Sequence, residues 1–439
     1  MLSKYFHYIR IKKNVFAIFN SLMMDVIYCN KDELLHIKNS DASYFSENEL
    51  IKLYKSGIFV KNRNVDKNAN ELVRSNVIAN TKDFVSLMYI IPTSECNLKC
   101  KYCFIGDICN DRSSIMSDEI LYKALNEFSM HLKSKHIEQG QIIFYGGEPL
   151  MGLPIIYNAV DYIKQNKLNI LLSMVSNATL INDELAQFLK LNDISIGISI
   201  DGPKSINDKN RIFKVDEGSS VYDRIIDKIE ILKKYQVNFG LSITLTNEIL
   251  NNEAEFVEWL KVLDVKNVCF NLMHYTEITD EWKIYYLKAT KFLFKIKNKL
   301  PDVLEDRLNR KFTVFYKNNF KFSDCAAVGA NQLCVAIDGT ITICHGYWNN
   351  KKHTCGSFFD GIDNIIKTDE YQLWNNNLTI NKKKCENCSA ISICGGGCAM
   401  QAETLFGDLT SIDKAFCIHT KYVLKELLRL DYKNLYEIK

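Results

Sequence analysis

Cys96, Cys100 and Cys103 lie in one short stretch with the spacing C-x3-C-x2-C. An apolar run at residues 86–91 precedes them, so the loop that carries the thiols begins where a strand is expected to end. Such a loop can place three thiolates at three corners of a cubane iron–sulfur cluster and leave the fourth iron without a protein ligand. A closed zinc site instead uses four ligands, and a disulfide would leave one thiol over. The spacing therefore predicts a redox centre that can also bind a small chelating molecule.

The same stretch resembles the signature of the radical S-adenosylmethionine (SAM) enzymes. In that family the amino and carboxylate groups of SAM chelate the unique iron. The resemblance implies that Cys96, Cys100 and Cys103 bind the catalytic 4Fe–4S cluster, and that Phe104, the next residue, contacts the cofactor.

Composition limits the class of protein. The chain has 439 residues, more than one ordinary domain requires, with 47% hydrophobic and 24% charged residues. A net charge of +3 argues against a dedicated nucleic-acid surface. No window approaches the ~18 uncharged apolar residues of a membrane span, and the apolar run at 15–19 is too short for a signal-peptide core. We therefore predict a cytoplasmic protein with neither nucleic acid nor membrane as a partner.

The number of cysteines supports metal or redox chemistry. The chain has 15 cysteines, which in a cytoplasmic protein indicates metal binding rather than disulfides. Nine of them lie between Cys325 and Cys417.

Strand-like and helical patterns alternate after residue 86. The strand-like runs are 87–91, 141–145, 171–175, 194–200, 239–244 and 268–272. Alternation of this kind predicts a parallel sheet with right-handed crossovers. Six units make a partial barrel whose chemistry lies at the carboxyl ends of the strands, where the cysteine loop also falls.

The second predicted strand ends in Gly146, Gly147, Glu148 and Pro149. Two glycines let the backbone approach a ligand closely, and Glu148 can accept hydrogen bonds from an ammonium group. By the family resemblance, these residues are similar to the GGEP segment that binds the methionyl amine of SAM.

Polar residues also follow the third and fourth predicted strands. Ser176 and Asn177 begin a turn that resembles the family's TNGT turn, with Ser and Ala replacing Thr and Gly, and both can donate to a carboxylate. The resemblance adds Ser199 and Asp201 to the cofactor site. Arg211 can pair with a carboxylate through two parallel hydrogen bonds, and it matches the position at which related maturases hold the SAM carboxylate.

The last third of the chain carries a longer cysteine array. Its spacing is C-x13-G-x4-C, then C-x2-C-x5-C-x3-C, then a last cysteine; the cysteines are Cys325, Cys344, Cys385, Cys388, Cys394, Cys398 and Cys417. All seven positions resemble the SPASM domain, which holds two auxiliary 4Fe–4S clusters in peptide-maturing radical SAM enzymes. The resemblance implies one cluster on Cys385, Cys388, Cys394 and Cys417, and another on Cys325, Cys344 and Cys398.

The fourth ligand of the latter cluster stays open at this point. Cys334 and Cys355 are candidates, and an iron without a protein ligand is the third possibility. A two-residue hairpin turn at Asp338 and Gly339 would direct Cys334 to the face opposite Cys344, because side chains alternate along a strand.

The first 84 residues contain three short strand-like runs and small helical segments. This arrangement resembles the winged-helix-like element with which peptide-modifying enzymes bind a leader peptide as an added strand. A structural cover on the barrel is the alternative, and the sequence does not separate the two.

These observations predict an α/β protein. We expect a winged-helix-like α+β domain at 1–84, a partial (β/α)6 TIM-like barrel at 85–310 and a cysteine-rich SPASM domain at 311–439. The expected function is reductive cleavage of SAM to a 5′-deoxyadenosyl radical and hydrogen abstraction from a ribosomally made peptide, to install a cross-link such as a thioether. Three 4Fe–4S clusters, SAM, a precursor peptide and a flavodoxin- or ferredoxin-type electron donor are the expected cofactors and partners.

Three alternatives follow from the same residues. A sulfatase-type maturase would form formylglycine on a protein Cys or Ser, but such enzymes usually carry Asp after the cysteine that corresponds to Cys344, and here that residue is His345. A multi-cluster electron carrier would leave the strand-end residues without a role. A structural zinc adaptor is opposed by the cysteine spacing.

Overall fold

The computed structural model describes residues 1–80, 84–103, 105, 115–320, 322–329 and 331–437. The chain begins with an antiparallel sheet of order β1-β2-β3 and three helices. These elements are β1 (Phe6–Lys12), β2 (Val15–Asn20), β3 (Ile27–Cys29), α1 (Lys31–Lys38), α2 (Glu47–Lys55) and α3 (Arg63–Asn80).

Local sequence explains where the first two helices begin. Asn30 accepts hydrogen bonds from the first turn of α1, while the carboxylate of Glu33 accepts one from the Asn30 amide. Ser46 and Glu49 form the same reciprocal capping pair at α2. Each pair satisfies amide groups that a helix start otherwise leaves without partners.

This N-terminal unit packs against the C-terminal part of the chain. The Tyr28 hydroxyl lies 2.8 Å from both the Leu428 carbonyl and the Asp431 carboxylate. Lys4 forms an ion pair with Glu386 at 2.8 Å. Tyr5 is fully buried in the main hydrophobic core, so the unit is part of the folded body and not a tethered appendage.

The central part of the chain alternates strands with helices. Its strands are β4 (Leu87–Ile90), β5 (Gly140–Phe144), β6 (Ile170–Ser176), β7 (Ser195–Ser199), β8 (Phe239–Leu245), β9 (Asn267–Leu272) and β10 (Leu304–Glu305). Its helices are α4 (Asp118–Ser134), α5 (Leu153–Gln165), α6 (Asp183–Leu191), α7 (Lys204–Asn210), α8 (Val221–Lys234), α9 (Asn247–Asn251), α10 (Glu253–Leu263), α11 (Asp280–Lys299) and α12 (Asp306–Lys317). All neighbouring strands from β4 to β10 are parallel, which confirms the predicted partial barrel.

Alternation along the strands separates two faces of this sheet. Ile142 and Phe144 are fully buried against the outer helices, among residues such as Leu125 and Phe128 of α4. The intervening residues are only partly buried and lie on the inner face. The barrel therefore has an inner surface that substrates can reach, lined by every second strand residue.

The C-terminal part adds strands β11 (Gln332–Val335), β12 (Thr340–Thr342) and β13 (Thr354–Ser357). Its helices are α13 (Ile362–Ile365), α14 (Asp369–Asn375), α15 (Ile391–Cys394), α16 (Ala399–Phe406) and α17 (Lys414–Tyr436). Strand β11 pairs in parallel with β4, so these strands continue the barrel sheet in the order β10-β9-β8-β7-β6-β5-β4-β11-β12-β13. No helix in the described ranges is long and apolar enough to cross a membrane.

The turn between β11 and β12 corrects one expectation. The Ala336 amide donates to the Thr340 carbonyl, and Cys334 pairs with Thr342, so the loop has three residues instead of two. Gly339, with φ +81°, supplies the left-handed residue that closes such a loop. This register gives Cys334 and Cys344 the same phase along the hairpin, so the sequence argument that turned them to opposite faces was wrong.

Candidate functional site

The cysteine loop lies at the carboxyl end of β4, as predicted, and a distant segment holds its backbone. The Lys99 amide donates to the Ile212 carbonyl at 2.8 Å, and the Lys101 amide donates to the Asn210 carbonyl at 2.9 Å. A third hydrogen bond joins the Lys214 amide to the Asn97 carbonyl at 3.0 Å. The loop is therefore fixed before any ligand binds, which lowers the entropic cost of binding one.

Two thiols of this loop are protonated in the metal-free chain. Burial raises the pKa of Cys96 to about 12 and that of Cys100 to about 11. The Arg211 guanidinium opposes the shift at Cys100, and its Nη1 lies 3.9 Å from the Cys100 sulfur. A metal bound by this loop would have to displace these protons, because the thiolate is the form that binds metals.

The two glycines after β5 are required by the chain itself. A Cβ on Gly147 would lie 2.1 Å from the Glu95 carbonyl oxygen, and one on Gly146 would lie 2.7 Å from the Thr93 oxygen. Gly146 also has φ +131°, which side chains rarely adopt. The close approach predicted for this segment is thus made to the backbone that leads into the cysteine loop.

Glu148 is 1% exposed, and both oxygens of its carboxylate accept hydrogen bonds from protein groups. Its carboxylate accepts hydrogen bonds from the Ser176 hydroxyl (2.6 Å), the Asn177 amide (2.7 Å) and the Leu150 amide (3.1 Å). Burial raises the pKa of Glu148 to about 7, although these three hydrogen bonds oppose the shift. Glu148 thereby ties the end of β5 to the end of β6.

Asn177 continues this connection to the cysteine loop. Its side-chain amide donates to the Asn97 side chain at 2.8 Å, and Asn97 in turn donates to Thr179 at 2.8 Å. Asn97 and Thr179 were not among the predicted site residues. Asn97 lies inside the cysteine motif, which was the signal available in the sequence.

A buried cluster of charges and an aromatic ring lies on the other side of the loop. Arg211 donates two parallel hydrogen bonds to Asp201, from Nε at 3.0 Å and from Nη2 at 3.1 Å. The Tyr102 hydroxyl also donates to Asp201, and the Arg211 guanidinium lies 5.6 Å from the Tyr102 ring. The bidentate face predicted to hold the SAM carboxylate is therefore filled by Asp201, and only Nη1 is directed to the thiols. Sequence reasoning missed Tyr102, the aromatic residue directly before Cys103.

The other predicted cofactor residues surround the same place. Ser199 ends β7 with its side chain partly buried, and Pro149 begins a buried turn after Glu148. Phe104 lies outside the described residues. We refer to the ends of β4 to β7, with the cysteine loop, as the strand-end site.

An aromatic stack separates the strand-end site from the cysteine-rich part. His345 stacks on Tyr89 at 4.4 Å and meets the Tyr145 ring edge-on at 4.8 Å. Burial raises the pKa of Tyr145, and the nearby thiolates of Cys103 and Cys344 raise it further. Tyr145 thus lies between the cysteine loop after β4 and the first group of C-terminal cysteines.

Four of the C-terminal cysteines line one cavity, which we call the second auxiliary site. The residues around it are Thr379, Lys382, Cys385, Cys388, Ile391, Cys394, Gly396, Ile412 and Cys417. Burial raises the pKa of Cys417 to about 12, and the other three thiolates raise it further. This is the group of four that the resemblance implied.

Cys325, Cys344 and Cys398 form the first auxiliary site. Burial is the main reason that the pKa of Cys344 is raised. The nearby thiolates of Cys325 and Cys398 raise it further, and that of Cys334 does so to a smaller extent. The Cys355 thiol is directed to the Ile341 carbonyl at 3.5 Å. The hairpin register and this proximity remove the objection to Cys334 as a fourth ligand.

The donor set fits clusters better than single ions. In the part of the chain that the structure describes, no three His, Cys, Asp or Glu side chains converge closely enough to hold one metal ion. The cysteines of the second auxiliary site instead surround a cavity, as a polynuclear iron–sulfur group requires.

Residues 90–263 match the model of the radical SAM superfamily. This range runs from the end of β4 to the end of α10 and contains every element of the strand-end site. The chain belongs to the radical SAM superfamily. It is an iron–sulfur enzyme that binds SAM and modifies a substrate.

Two curated relatives cover most of the chain. A cysteine-type anaerobic sulfatase-maturating enzyme of Clostridium novyi is 27% identical over 385 residues, which are 79% of this chain and 96% of that protein. The radical SAM cyclopropyl synthase TigE of Paramaledivibacter caminithermalis is 24% identical over 486 aligned positions, covering 99% of this chain and 97% of that protein.

Solved structures share the fold. The sulfatase-maturating enzyme anSMEcpe with bound AdoMet has a TM-score of 0.67 and 23% identity, and the match covers 78% of this chain and 99% of that chain. Streptococcus suis SuiB bound to its precursor peptide SuiA has a TM-score of 0.55 and 15% identity, and covers 95% of this chain and 99% of that chain.

Proposed function

We propose that this radical SAM maturase abstracts hydrogen from a ribosomally made precursor peptide and installs a cross-link such as a thioether. The coverage of the comparisons carries the proposal. TigE and SuiB align with 99% and 95% of the chain, whereas the sulfatase-maturating proteins align with 79% and 78%. The N-terminal unit of about 80 residues is roughly a fifth of the chain, which is similar in size to this difference in coverage.

In this proposal the strand-end site holds SAM beside the cluster on Cys96, Cys100 and Cys103. The bound cluster supplies the electron that cleaves SAM to methionine and a 5′-deoxyadenosyl radical. The residues implied to contact SAM are Phe104, Gly146, Gly147, Glu148, Pro149, Ser176, Asn177, Ser199, Asp201 and Arg211. Hydrogen bonds join Glu148 to Ser176 and Asn177, and Arg211 to Asp201, so the site is rigid before SAM binds. A rigid site can position the peptide C–H bond and exclude water.

The two auxiliary sites are proposed to hold two further 4Fe–4S clusters. Formation of a thioether removes one hydrogen atom to deoxyadenosine, one proton from the thiol and one electron from the peptide. An auxiliary cluster is the proposed acceptor of that electron, and a flavodoxin- or ferredoxin-type protein is the proposed donor to the catalytic cluster. The location of Tyr145 between Cys103 and Cys344 supports a short path from substrate to the first auxiliary site.

The N-terminal unit is proposed to bind the leader of the precursor. Its sheet order leaves β1 and β3 as outer strands, to which an extended peptide can be added. The solved SuiB structure contains a bound precursor peptide, and it is similar to this chain over nearly its whole length.

The test uses the full chain, because deletion of residues 1–80 would remove Tyr5 from the main core and the partner of Glu386. A precursor encoded beside the gene is compared with its leaderless core after anaerobic reconstitution. We expect processing of the core to fall through a higher KM, while deoxyadenosine formation without peptide is unchanged. Adding the leader should protect amides of β1 or β3 from hydrogen exchange. Equal processing of both peptides, without such protection, would reject leader recognition.

Formylglycine formation is the second candidate, because the relative of Clostridium novyi is 27% identical over most of its length. Incubation with a sulfatase peptide that contains a single Cys or Ser distinguishes the two. An aldehyde product that a hydrazide captures would support this candidate, whereas loss of two hydrogen atoms from the precursor peptide supports the cross-link.

A further inference from the structure

A buried ion pair lies between the two auxiliary sites. Lys311 of α12 is 1% exposed, and its ammonium donates to the carbonyls of Cys394 (2.5 Å) and Ile393 (2.8 Å). The same ammonium lies 3.2 Å from the Asp324 carboxylate. Burial lowers the pKa of Lys311, while Asp324 and then Cys394 oppose that shift. The positive end of the pair therefore lies at a cysteine of the second auxiliary site.

The negative end lies at the first auxiliary site. Asp324 directly precedes Cys325, and its backbone amide donates to the Gly395 carbonyl at 3.0 Å. A Cβ on Gly395, whose φ is +72°, would lie 2.4 Å from the Asp324 Cβ. The residue after Cys394 must therefore be small for the two loops to approach, and this contact fixes the direction of the ion pair.

Neighbouring charges extend the same asymmetry. Lys382 lines the cavity of the second auxiliary site, and its ammonium is held by the Ser411 carbonyl at 3.0 Å. At the first auxiliary site the Cys398 amide donates to the buried Asp413 carboxylate at 3.2 Å. Two cations act in the opposite sense, since Arg310 lies 3.6 Å from Asp324 and Arg307 lowers the pKa of Cys398, which burial and Asp413 raise.

We propose that this arrangement, with Lys311 and Lys382 at the second auxiliary site and Asp324 at the first, holds the reduction potential of the second cluster above that of the first. A nearby cation stabilises the added electron of a reduced cluster and a nearby carboxylate destabilises it, most strongly where water is excluded. The inference rests on the proposed function in that both sites hold clusters, and it adds the direction of electron transfer.

The direction suits the location of the two sites. The first auxiliary site is the one next to Tyr145 and the strand-end site. With clusters held at both sites, an electron lost by the peptide radical would pass to the first auxiliary site and from there to the second. A one-electron carrier of the flavodoxin or ferredoxin class would then remove it. An electron at the second auxiliary site lies farther from the substrate, and this separation opposes its transfer back to the peptide.

The experiment is an EPR-monitored redox titration of the full chain. Cys96, Cys100 and Cys103 are replaced by Ala, so that only the auxiliary signals are observed. Lys311→Met should lower the reduction potential of the second cluster. The expected change in the reduction equilibrium is at least about tenfold, which is about 59 mV for a one-electron couple. Asp324→Asn should raise the reduction potential of the first cluster. Lys311→Arg keeps the positive charge, so the potential of the second cluster should stay close to its value in the unsubstituted chain.

Lys295→Met is the matched control, because Lys295 forms an ion pair with Glu253, which belongs to neither auxiliary site. If Lys311→Met loses iron, Lys382→Gln must lower the same potential from outside the ion pair. Unchanged potentials, equal shifts in Met and Arg variants, or shifts of one sign in both clusters would overturn the inference. Binding of only about four irons by the unsubstituted chain would instead reject the three-cluster assignment.

Discussion

The strand-end site and the second auxiliary site differ in the groups that surround their cysteines. At the strand-end site, Glu148, Asp201 and Arg211 are bonded to other protein groups before any cofactor is present. At the second auxiliary site, four thiols line a cavity, and the ammonium groups of Lys311 and Lys382 donate to backbone carbonyls beside it. The contacts at the strand-end site fix its geometry before a ligand binds, whereas the proposed role of the cations at the second auxiliary site is electrostatic.

The largest expected effect tests whether the two regions are independent. Replacing Cys96, Cys100 and Cys103 by Ala should remove about four irons and abolish SAM cleavage, because this loop is the proposed site of the cluster that binds SAM. The auxiliary EPR signals should persist. Iron analysis with deoxyadenosine assays measures both results, and loss of all iron would show that the regions assemble together.

Gly147→Ala should be the next most severe change. Its Cβ would lie 2.1 Å from a backbone oxygen, so the strand-end site must shift, at a cost of about 3 kcal/mol or more. The melting temperature and the amount of iron bound by the cysteine loop should both fall. Gly218→Ala is the control, since nothing lies within 4 Å of its Cβ and the change should be neutral. Equal behaviour of the two variants would contradict the close approach.

Glu148 should make stability depend on pH in the cluster-free and SAM-free chain. Burial raises its folded-state pKa to about 7 from an ordinary value of 4.5, so the folded form favours the protonated carboxyl. This contribution is complete below about pH 4.5 and is lost as pH rises through 7, a difference on the order of 3 kcal/mol. Between these pH values the melting temperature should fall less steeply in Glu148→Gln than in the unsubstituted chain. Identical slopes would show that folding does not raise the pKa of Glu148.

Arg211→Lys should weaken SAM binding about tenfold to a hundredfold, because a lysine cannot pair with Asp201 through two parallel hydrogen bonds and also present a donor beside the thiols, so that ~1.5–3 kcal/mol is lost. Asp201→Asn sharpens the test, since Asp201 occupies that fork in the structure. Weaker SAM binding in both variants, with less iron in the loop, indicates that Arg211 positions the cysteine loop. Weaker binding in Arg211→Lys alone indicates direct contact with SAM, and an unchanged Kd in both would exclude either role.

The barrel was predictable because its signals are local. Apolar runs with helical spacing between them identified the six parallel strands, and strand ends identified where the chemistry must lie. The hairpin register was not predictable in the same way. A dipeptide of Asp and Gly permits both a two-residue and a three-residue loop. A two-residue type I′ loop needs a positive φ at both residues, and of the two only Gly339 has one, so the longer loop forms.

The sequence by itself determined which residue types could bind clusters and in what groups, because thiol spacing within a loop is a local property of the chain. The tertiary structure decided which charges meet. Asp201 pairs with Arg211, Tyr102 joins them, and Lys311 lies between Cys394 and Asp324 only because the fold buries these segments together. Burial makes each of these charges costly without a partner, so the partner is chosen by packing and not by distance along the sequence.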